Sequence, residues 1–233
     1  KALFFYTLVR KEVRNMIDTG NTSFVIICAA LVCLMTPGLA FFYGGLVGRK
    51  NVITIMMQSF ISMGVVTIIW FVIGFSLAFG PDIHGIIGSL KYAFLDCVGM
   101  EPDAVYGDTV PFLTFFSYQQ MFAIITPALI TGAFADRVNF KSYLIFLVIW
   151  SLLVYVPLAH WVWGGGFLAQ LGAADFAGGI VVHASAGLAA LASVFVVGKR
   201  KDMSASAVEP HNITYVALGT GLLWFGWFGF NAG

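Results

Sequence analysis

One histidine of this chain lies deep inside an apolar segment, where an ionisable side chain is costly. His183 stands among valines and alanines, about 10 Å of helical rise from the start of that segment. An ionisable group at such a depth normally faces a cavity or a polar partner, although a structural histidine with satisfied hydrogen bonds is the alternative. His160, near the end of another apolar segment, and His84 and His211, in polar connections, are predicted to be interfacial or solvated.

Asp175 is the only acid between Asp136 and Asp202, and it precedes the small residues that open the segment of His183. Its simplest role is a helix N-cap that accepts hydrogen bonds from free N–H groups near Gly178. Its other role would be to make the field at the mouth of a pore attractive to a cation. Since eight residues, about two and a quarter turns, separate Asp175 from His183, their side chains should not touch. We favour the cap over direct contact with a ligand.

Aromatic side chains cluster near the ends of three apolar segments. They are Tyr118, Phe122, Trp161, Trp163, Trp224, Trp227, Phe228 and Phe230. Trp and Tyr often form belts at the membrane interface without any specific function. The faces of such rings also stabilise a small cation, by about 0.5 to 2 kcal/mol each.

Several classes of function are disfavoured by the composition. No nucleophile, base and orienting group occur together, which argues against a membrane enzyme. No pair of histidines or carboxylates has metal-ligand spacing, and Cys28, Cys33 and Cys97 form neither a metal motif nor a disulfide framework. We therefore expect no metal and no cofactor. The net charge of +1 comes from short clusters that provide no basic face for nucleic acid.

The elements that position these residues must be membrane-spanning helices. With 60% apolar and 10% charged residues and a mean hydropathy of +0.92, the 233-residue chain has more apolar surface than one soluble core could bury. A span needs about 20 apolar residues. Cutting the chain at its charges gives an all-α protein with six spans, at about residues 22–46, 53–79, 111–134, 142–163, 176–198 and 213–233.

Lys and Arg accumulate in alternate connections. The basic residues are Arg49 and Lys50, then Arg137 and Lys141, then Lys199, Arg200 and Lys201. The connection from Pro81 to Asp108 instead carries Lys91 beside five acids. The positive-inside rule then predicts that loops 47–52, 135–141 and 199–212 are cytoplasmic and that the first span starts outside.

The first twenty residues form a separate arm in this interpretation, and residues 21–233 form the membrane domain. Lys1, Arg10, Lys11 and Arg14 conflict with an outside location, but we give the loops more weight. The apolar part of the arm is too short to cross a membrane. It resembles an interfacial helix, or the remnant of a targeting or fusion segment.

Three motifs resemble the signatures of the ammonium transporter family (Amt, Mep and Rhesus proteins). They are FFYGGLV at residues 41–47, DFAGGIVVH at 175–183 and GWFGFNAG at 226–233. The resemblance covers nearly the whole chain from about Asn21 onward, and the last motif favours the Amt branch.

This resemblance implies a fold of eleven helices in two inverted repeats, assembled as a homotrimer with one pore per subunit. The chain would then hold the first repeat and the sixth helix. It would lack the family's second pore histidine and the serine that usually follows the last motif. Whether it is truncated, partly represented or one piece of a split protein stays open.

The resemblance also implies roles for individual residues. Phe122 and Trp163 would form the outer ammonium site with Tyr118, where many members have phenylalanine, and Gln119 fits a polar lining position. The stacked phenylalanine gate would be Phe122 above Phe230. His183 matches the pore histidine, and Asp175 matches the acid that supports the start of the fifth helix.

The corresponding mechanism separates ammonium from its proton. Born reasoning puts the cost of bringing the bare cation into an apolar tube at tens of kcal/mol, and a few ring faces return only a small part. We hypothesise that ammonium binds at the outer site, loses its proton near the gate and crosses as ammonia past His183. The proton would pass separately through histidines and water, which would make transport electrogenic.

A second hypothesis uses the same membrane domain as an ammonium sensor, fused downstream to a cytoplasmic signalling domain. The residues that follow Gly233 and ion-flux measurements in liposomes would distinguish the two. A cytoplasmic regulator of the trimeric PII type is implied by the family resemblance alone.

Overall fold

The structure, a computed structural model, describes residues 17–200 and 209–233. Within them, six helices are long and apolar enough to cross a membrane, so the prediction of six spans is confirmed. The spans are Thr19–Leu46, Arg49–Phe79, Phe112–Phe134, Phe140–Gln170, Gly179–Val197 and Ile213–Ala232. The fourth differs most from prediction, because a bend after Val162 separates its main helix from a short helix at Phe167–Gln170. Helices suit a bilayer because they satisfy their own backbone polar groups.

Three spans have an Asp or Asn cap directly before their first helical residue. Asp18 accepts a hydrogen bond from the backbone of Asn21 at 2.7 Å, Asn139 from that of Ser142 at 2.9 Å, and Asn212 from that of Tyr215 at 3.1 Å. These side chains pair N–H groups that a helix start leaves without intrahelical partners. The first span therefore starts at Thr19, inside the segment that the sequence assigned to the arm. The other predictions for the arm concern residues 1–16, which lie outside the described residues.

Three spans contain a π-helical turn. These wider turns lie at Trp70–Gly74 in the second span, Ser151–Tyr155 in the fourth and Gly179–Ala184 in the fifth. In each turn the backbone hydrogen bonds join residues five positions apart, one more than in an α-helix. This difference rotates the side chains that follow the turn. The turn in the fifth span contains His183, so the direction of its imidazole depends on this local geometry.

Glycines allow the first and sixth spans to pack backbone against backbone. A Cβ atom at Gly219 would overlap the amide nitrogen of Phe42 and lie 2.6 Å from the carbonyl oxygen of Gly38. At Gly38 it would lie 2.9 Å from the Cβ of Leu222. Small residues at such contacts let helices approach closely in lipid, where packing rather than the hydrophobic effect holds helices together.

We expect Gly219→Ala to lower the free energy of unfolding by about 2 kcal/mol, because the added methyl group pushes the two helices apart. Gly221→Ala is the matched control, since a Cβ there meets no atom within 4 Å. It should be neutral or slightly stabilising because alanine favours the helix. Thermal unfolding of both variants of the full-length protein measures the difference. Equal midpoints would show that this contact does not limit the packing.

The connections lie on two sides, as the charge pattern predicts. On the basic side the Asn51 amide donates to the Asp136 carboxylate, Arg200 lies 3.8 Å from the same carboxylate, and Arg137 donates to the Gly198 carbonyl oxygen at 2.9 Å. These contacts join the three basic loops. On the opposite side the backbone N–H of Asp18 donates to Thr109 at 2.8 Å, which joins the start of the first span to the acidic connection.

The acidic connection, residues 80–111, is called the outer loop below, after the side on which the positive-inside rule predicts it to lie. It forms two small antiparallel pairs, β1 (Asp82–Ile83) with β2 (Ile87–Gly88) and β3 (Pro102–Asp103) with β4 (Gly107–Pro111). The sequence analysis did not predict these strands. They are only two to five residues long and too short to show an alternating pattern, and Gly85 at φ +73° supplies the turn of the first pair.

Candidate functional site

A cavity of about 470 Å³ opens between the third, fourth, fifth and sixth spans, at their ends near the outer loop. Its lining contains six of the seven residues to which the resemblance assigns roles. These are Tyr118, Gln119, Phe122, Trp163, Asp175 and Phe230. The outer loop adds Tyr106, whose ring stacks on Phe115 at 5.1 Å. We call this space the aromatic cavity.

Three aromatic rings follow one another along the wall of the aromatic cavity. The ring centroids of Tyr118 and Phe122 are 4.8 Å apart, and those of Phe122 and Trp163 are 6.3 Å apart, in edge-to-face arrangements. The indole N–H of Trp163 donates to the carbonyl oxygen of Asp175 at 2.8 Å. This hydrogen bond fixes the plane of the indole and ties the end of the fourth span to the loop before the fifth.

Tyr118 makes hydrogen bonds that a phenylalanine could not make. Its hydroxyl group reaches the carbonyl oxygens of Gly229 at 2.9 Å and Phe230 at 3.2 Å. The hydroxyl therefore ties the third span to the sixth. No pattern in the sequence indicates this contact, which joins residues more than a hundred positions apart.

Gln119 lines the aromatic cavity, as its polar character predicts. Its Oε1 atom is buried and finds no hydrogen-bond partner among the described residues, and seven other buried polar atoms share this state. Its amide group accepts through the oxygen and donates through the nitrogen.

Phe122 and Phe230 are in contact, but not as a parallel stack. Their centroids are 4.7 Å apart with an angle of 65° between the ring planes. Edge-to-face contact is a preferred arrangement, because it places the positive ring edge on the negative face of the neighbour. Both rings line the aromatic cavity.

His183 lies on the far side of Phe230. Its imidazole is half-buried, stacks on Trp227 with centroids 5.5 Å apart and planes 5° apart, and lies 5.6 Å from the Phe230 ring. It does not line the aromatic cavity. The order in space is thus Trp163, Phe122, Phe230 and His183.

The Asp175 carboxylate caps the start of the fifth span, the role that the sequence analysis favoured. It accepts hydrogen bonds from the backbone N–H groups of Gly179 and Ile180, both at 2.8 Å, and of Val181 at 2.9 Å. Gly178 enables this turn by adopting φ +80°, a left-handed conformation that suits glycine. Asp175 contributes to the aromatic cavity and the helix cap together.

The prediction that His160 is interfacial or solvated is wrong. Its side chain is fully buried, with one ring nitrogen 2.9 Å from the carbonyl oxygen of Ala78 and the other 2.8 Å from Oδ1 of Asp82. The error arose because position along a span does not reveal what covers it. Here the outer loop folds over the end of the fourth span and supplies Asp82. No sequence signal paired these two residues, which are 78 positions apart.

Comparison with known proteins agrees with the motifs. The profile described as Ammonium Transporter Family matches residues 23–233. The ammonium transporter of Bacillus subtilis is 54% identical over 214 residues, which cover 92% of this chain and 52% of that protein. Ammonium transporter Amt1 of Archaeoglobus fulgidus is 47% identical, with the same two coverages. The chain spans about half the length of these curated relatives.

Solved structures show the same fold. Mep2 of Saccharomyces cerevisiae aligns with a TM-score of 0.83 at 36% identity, covering 93% of this chain and 49% of the yeast chain. A protein titled Sensor Amt Protein aligns with a TM-score of 0.81 at 33% identity, covering 91% of this chain and 53% of its own. With six apolar spans and this fold, the chain is a multi-pass membrane protein. The match of the profile over 211 of 233 residues, joined to these relatives, places the chain in the ammonium transporter family.

Proposed function

We propose that the full-length protein transports ammonium across a membrane, and that the aromatic cavity recruits it. The relatives at 46–54% identity are named as ammonium transporters. The observation that carries the proposal for the site is the cavity walled by the rings of Tyr118, Phe122 and Trp163. An ammonium ion is a compact positive charge, which suits binding to ring faces.

The aromatic cavity contributes only a modest free energy to the binding of ammonium. Each ring face contributes about 0.5 to 2 kcal/mol to binding a cation, and Tyr118, Phe122 and Trp163 supply the faces. The cost of bringing a bare cation into an apolar medium is tens of kcal/mol by Born reasoning. The cation therefore stops at the contact of Phe122 and Phe230, and desolvation there favours its neutral form.

His183 then serves as the first polar group beyond the gate. It lies 5.6 Å from the Phe230 ring, and the aromatic cavity lies on the other side. We propose that ammonia passes this imidazole while protons move separately through histidines and water. Such a route predicts an electrogenic flux, because one positive charge crosses for each ammonia.

The orientation and partners belong to the same proposal. We place loops 47–52, 135–141 and 199–212 on the cytoplasmic side by the positive-inside rule, although residues 201–208 lie outside the described part of the chain. The family resemblance supports a homotrimer and a cytoplasmic regulator of the PII type that binds this basic side.

An ammonium sensor is the second candidate. The similarity to the Sensor Amt Protein, with a TM-score of 0.81, favours it specifically. In a sensor the aromatic cavity would bind ammonium with little flux. The coding sequence after residue 233 and the flux through reconstituted liposomes distinguish the two candidates, since a fused signalling domain and a low flux would favour the sensor.

Replacing Trp163 tests the aromatic cavity. In full-length protein reconstituted into liposomes, we expect Trp163→Leu to raise the ammonium concentration for half-maximal flux about tenfold, because a ring face in the cavity is lost. Trp161→Leu is the matched control. The Trp161 indole donates to Ile86 at 2.7 Å and packs on Phe167, away from the cavity lining. Equal half-saturation in both variants would contradict recruitment by Trp163.

A further inference from the structure

His160 joins three parts of the outer side. It lies near the end of the fourth span, its side chain has no exposed surface, and it contacts the end of the second span through Ala78 and the outer loop through Asp82. Asp82 is one-third exposed, and its carboxylate also accepts the backbone N–H of Gly85 at 2.9 Å. The imidazole is thus enclosed between a carbonyl and a carboxylate.

Both neighbours of the imidazole are acceptors. A backbone carbonyl oxygen only accepts hydrogen bonds, and so does an ionised carboxylate. The hydrogen bond from His160 holds the pKa of the Asp82 carboxyl below its ordinary value, so Asp82 is ionised at neutral pH. A neutral imidazole carries one N–H and would leave a lone pair facing one of these oxygens. Only the doubly protonated ring satisfies both contacts, at 2.9 and 2.8 Å.

Other titratable groups around the pair do not replace this charge. His84 is exposed and two positions from Asp82 in the outer loop, and it lowers the pKa of the Asp82 carboxyl less than the hydrogen bond from His160 does. Burial raises the pKa of the Tyr106 phenol above its ordinary value, so this group stays neutral, and its hydroxyl lies 3.5 Å from the Gly164 carbonyl oxygen. Asp82 is therefore the group that balances the imidazolium.

The turn after His160 carries Trp163 into the aromatic cavity. The carbonyl oxygen of His160 accepts the N–H groups of Gly164 and Gly166, both at 3.0 Å. A Cβ atom at Gly164 would overlap the Ala78 carbonyl oxygen, so this turn lies directly against the second span. At its first residue the Trp163 indole reaches Asp175. A shift of the His160 ring would therefore displace the turn and the indole.

We propose that His160 is a positioning residue, held as an imidazolium between Ala78 and Asp82, that fixes the Trp163 indole in the aromatic cavity. The inference that His160 affects the affinity for ammonium rests on the proposed function. The inference that its ring is doubly protonated does not depend on that function.

The charge state is tested on the unmodified full-length protein by NMR of ¹⁵N-labelled histidine side chains, with His160→Gln identifying the signal. We expect both ring nitrogens of His160 to carry protons in the buffer of the flux assay. A ring with one unprotonated nitrogen there would overturn the proposal, whatever the protein transports. Absence of flux through an unmodified protein that retains the imidazolium would instead contradict the proposed function.

The positioning role is tested by comparing the half-saturating ammonium concentration with the maximal flux. We expect His160→Gln and Asp82→Asn to raise the half-saturating ammonium concentration about tenfold, with a smaller change in maximal flux, as for the loss of a ring face. Because Asp82→Asn keeps the buried His160 side chain, an effect of this variant does not come from misfolding caused by the loss of that side chain.

His84→Gln is the matched control, because it removes an exposed imidazole from the same loop. It should retain the half-saturation of the unmodified protein. The positioning role would be overturned if Asp82→Asn and His160→Gln kept the unmodified half-saturation, or if His84→Gln raised it as much as they do.

Discussion

His183→Ala is expected to reduce the ammonium-evoked current of the full-length protein by at least about 100-fold, the lower range for removing a group that transfers protons. The imidazole lies beyond the contact of Phe122 and Phe230, where our proposal has the ion already deprotonated. Alanine offers no site for the proton and leaves a gap beside Trp227, on which the imidazole stacks at 5.5 Å. Current recorded from planar bilayers after an ammonium step measures the effect.

The control for His183 must remove an imidazole without touching the route. His84→Ala does so, because this side chain is exposed in the outer loop. Thermal unfolding should place both variants close to the unmodified protein, so that a lost current reflects the route rather than the fold. Unchanged current in His183→Ala would exclude the imidazole as a proton carrier. Retained uptake of ammonia with lost current would separate gas passage from proton transfer.

The spans could be predicted because the bilayer imposes a length. Runs of about 20 apolar residues between charges are visible in the sequence, and both ends of the sixth span agree with prediction within one residue. The wider turn at Gly179–Ala184 and the short pairs β1–β2 and β3–β4 could not be predicted. They depend on packing between distant segments and leave no periodic pattern in the sequence.

The site was predicted from motifs, while its hydrogen bonds were not. The motifs and the resemblance brought Tyr118, Phe122, Trp163 and Phe230 to one cavity. The unpaired oxygen of Gln119 and the hydrogen bond from Tyr118 to the sixth span depend on the folded structure and cannot be read from the sequence. Burial of His160 was misjudged for the same reason, because its partner comes from a loop that a one-dimensional pattern does not place.

Asp175→Ala is expected to destabilise the start of the fifth span and to reduce flux about 100-fold, as small displacements of binding groups do. The carboxylate holds three backbone N–H groups, and Val181 is fully buried. Their loss should lower the free energy of unfolding by about 2 to 3 kcal/mol. The turn also lies against the gate, because a Cβ atom at Gly178 would lie 3.5 Å from the Phe230 ring. Thermal unfolding and liposome flux measure the two effects.

The two roles of Asp175, as a helix cap and as a source of negative field, predict different results for Asp175→Ala. Asp108→Ala removes an exposed acid of the outer loop and serves as the electrostatic control. If Asp175 acts as a cap, Asp175→Ala should unfold earlier than Asp108→Ala, and added salt should not reduce the difference in flux. A charge acting through the field would be screened by salt, since the Debye length shortens to about 3 Å at 1 M. A stable Asp175→Ala variant with a salt-sensitive half-saturation would therefore show that Asp175 acts through its electrostatic field and not as a helix cap.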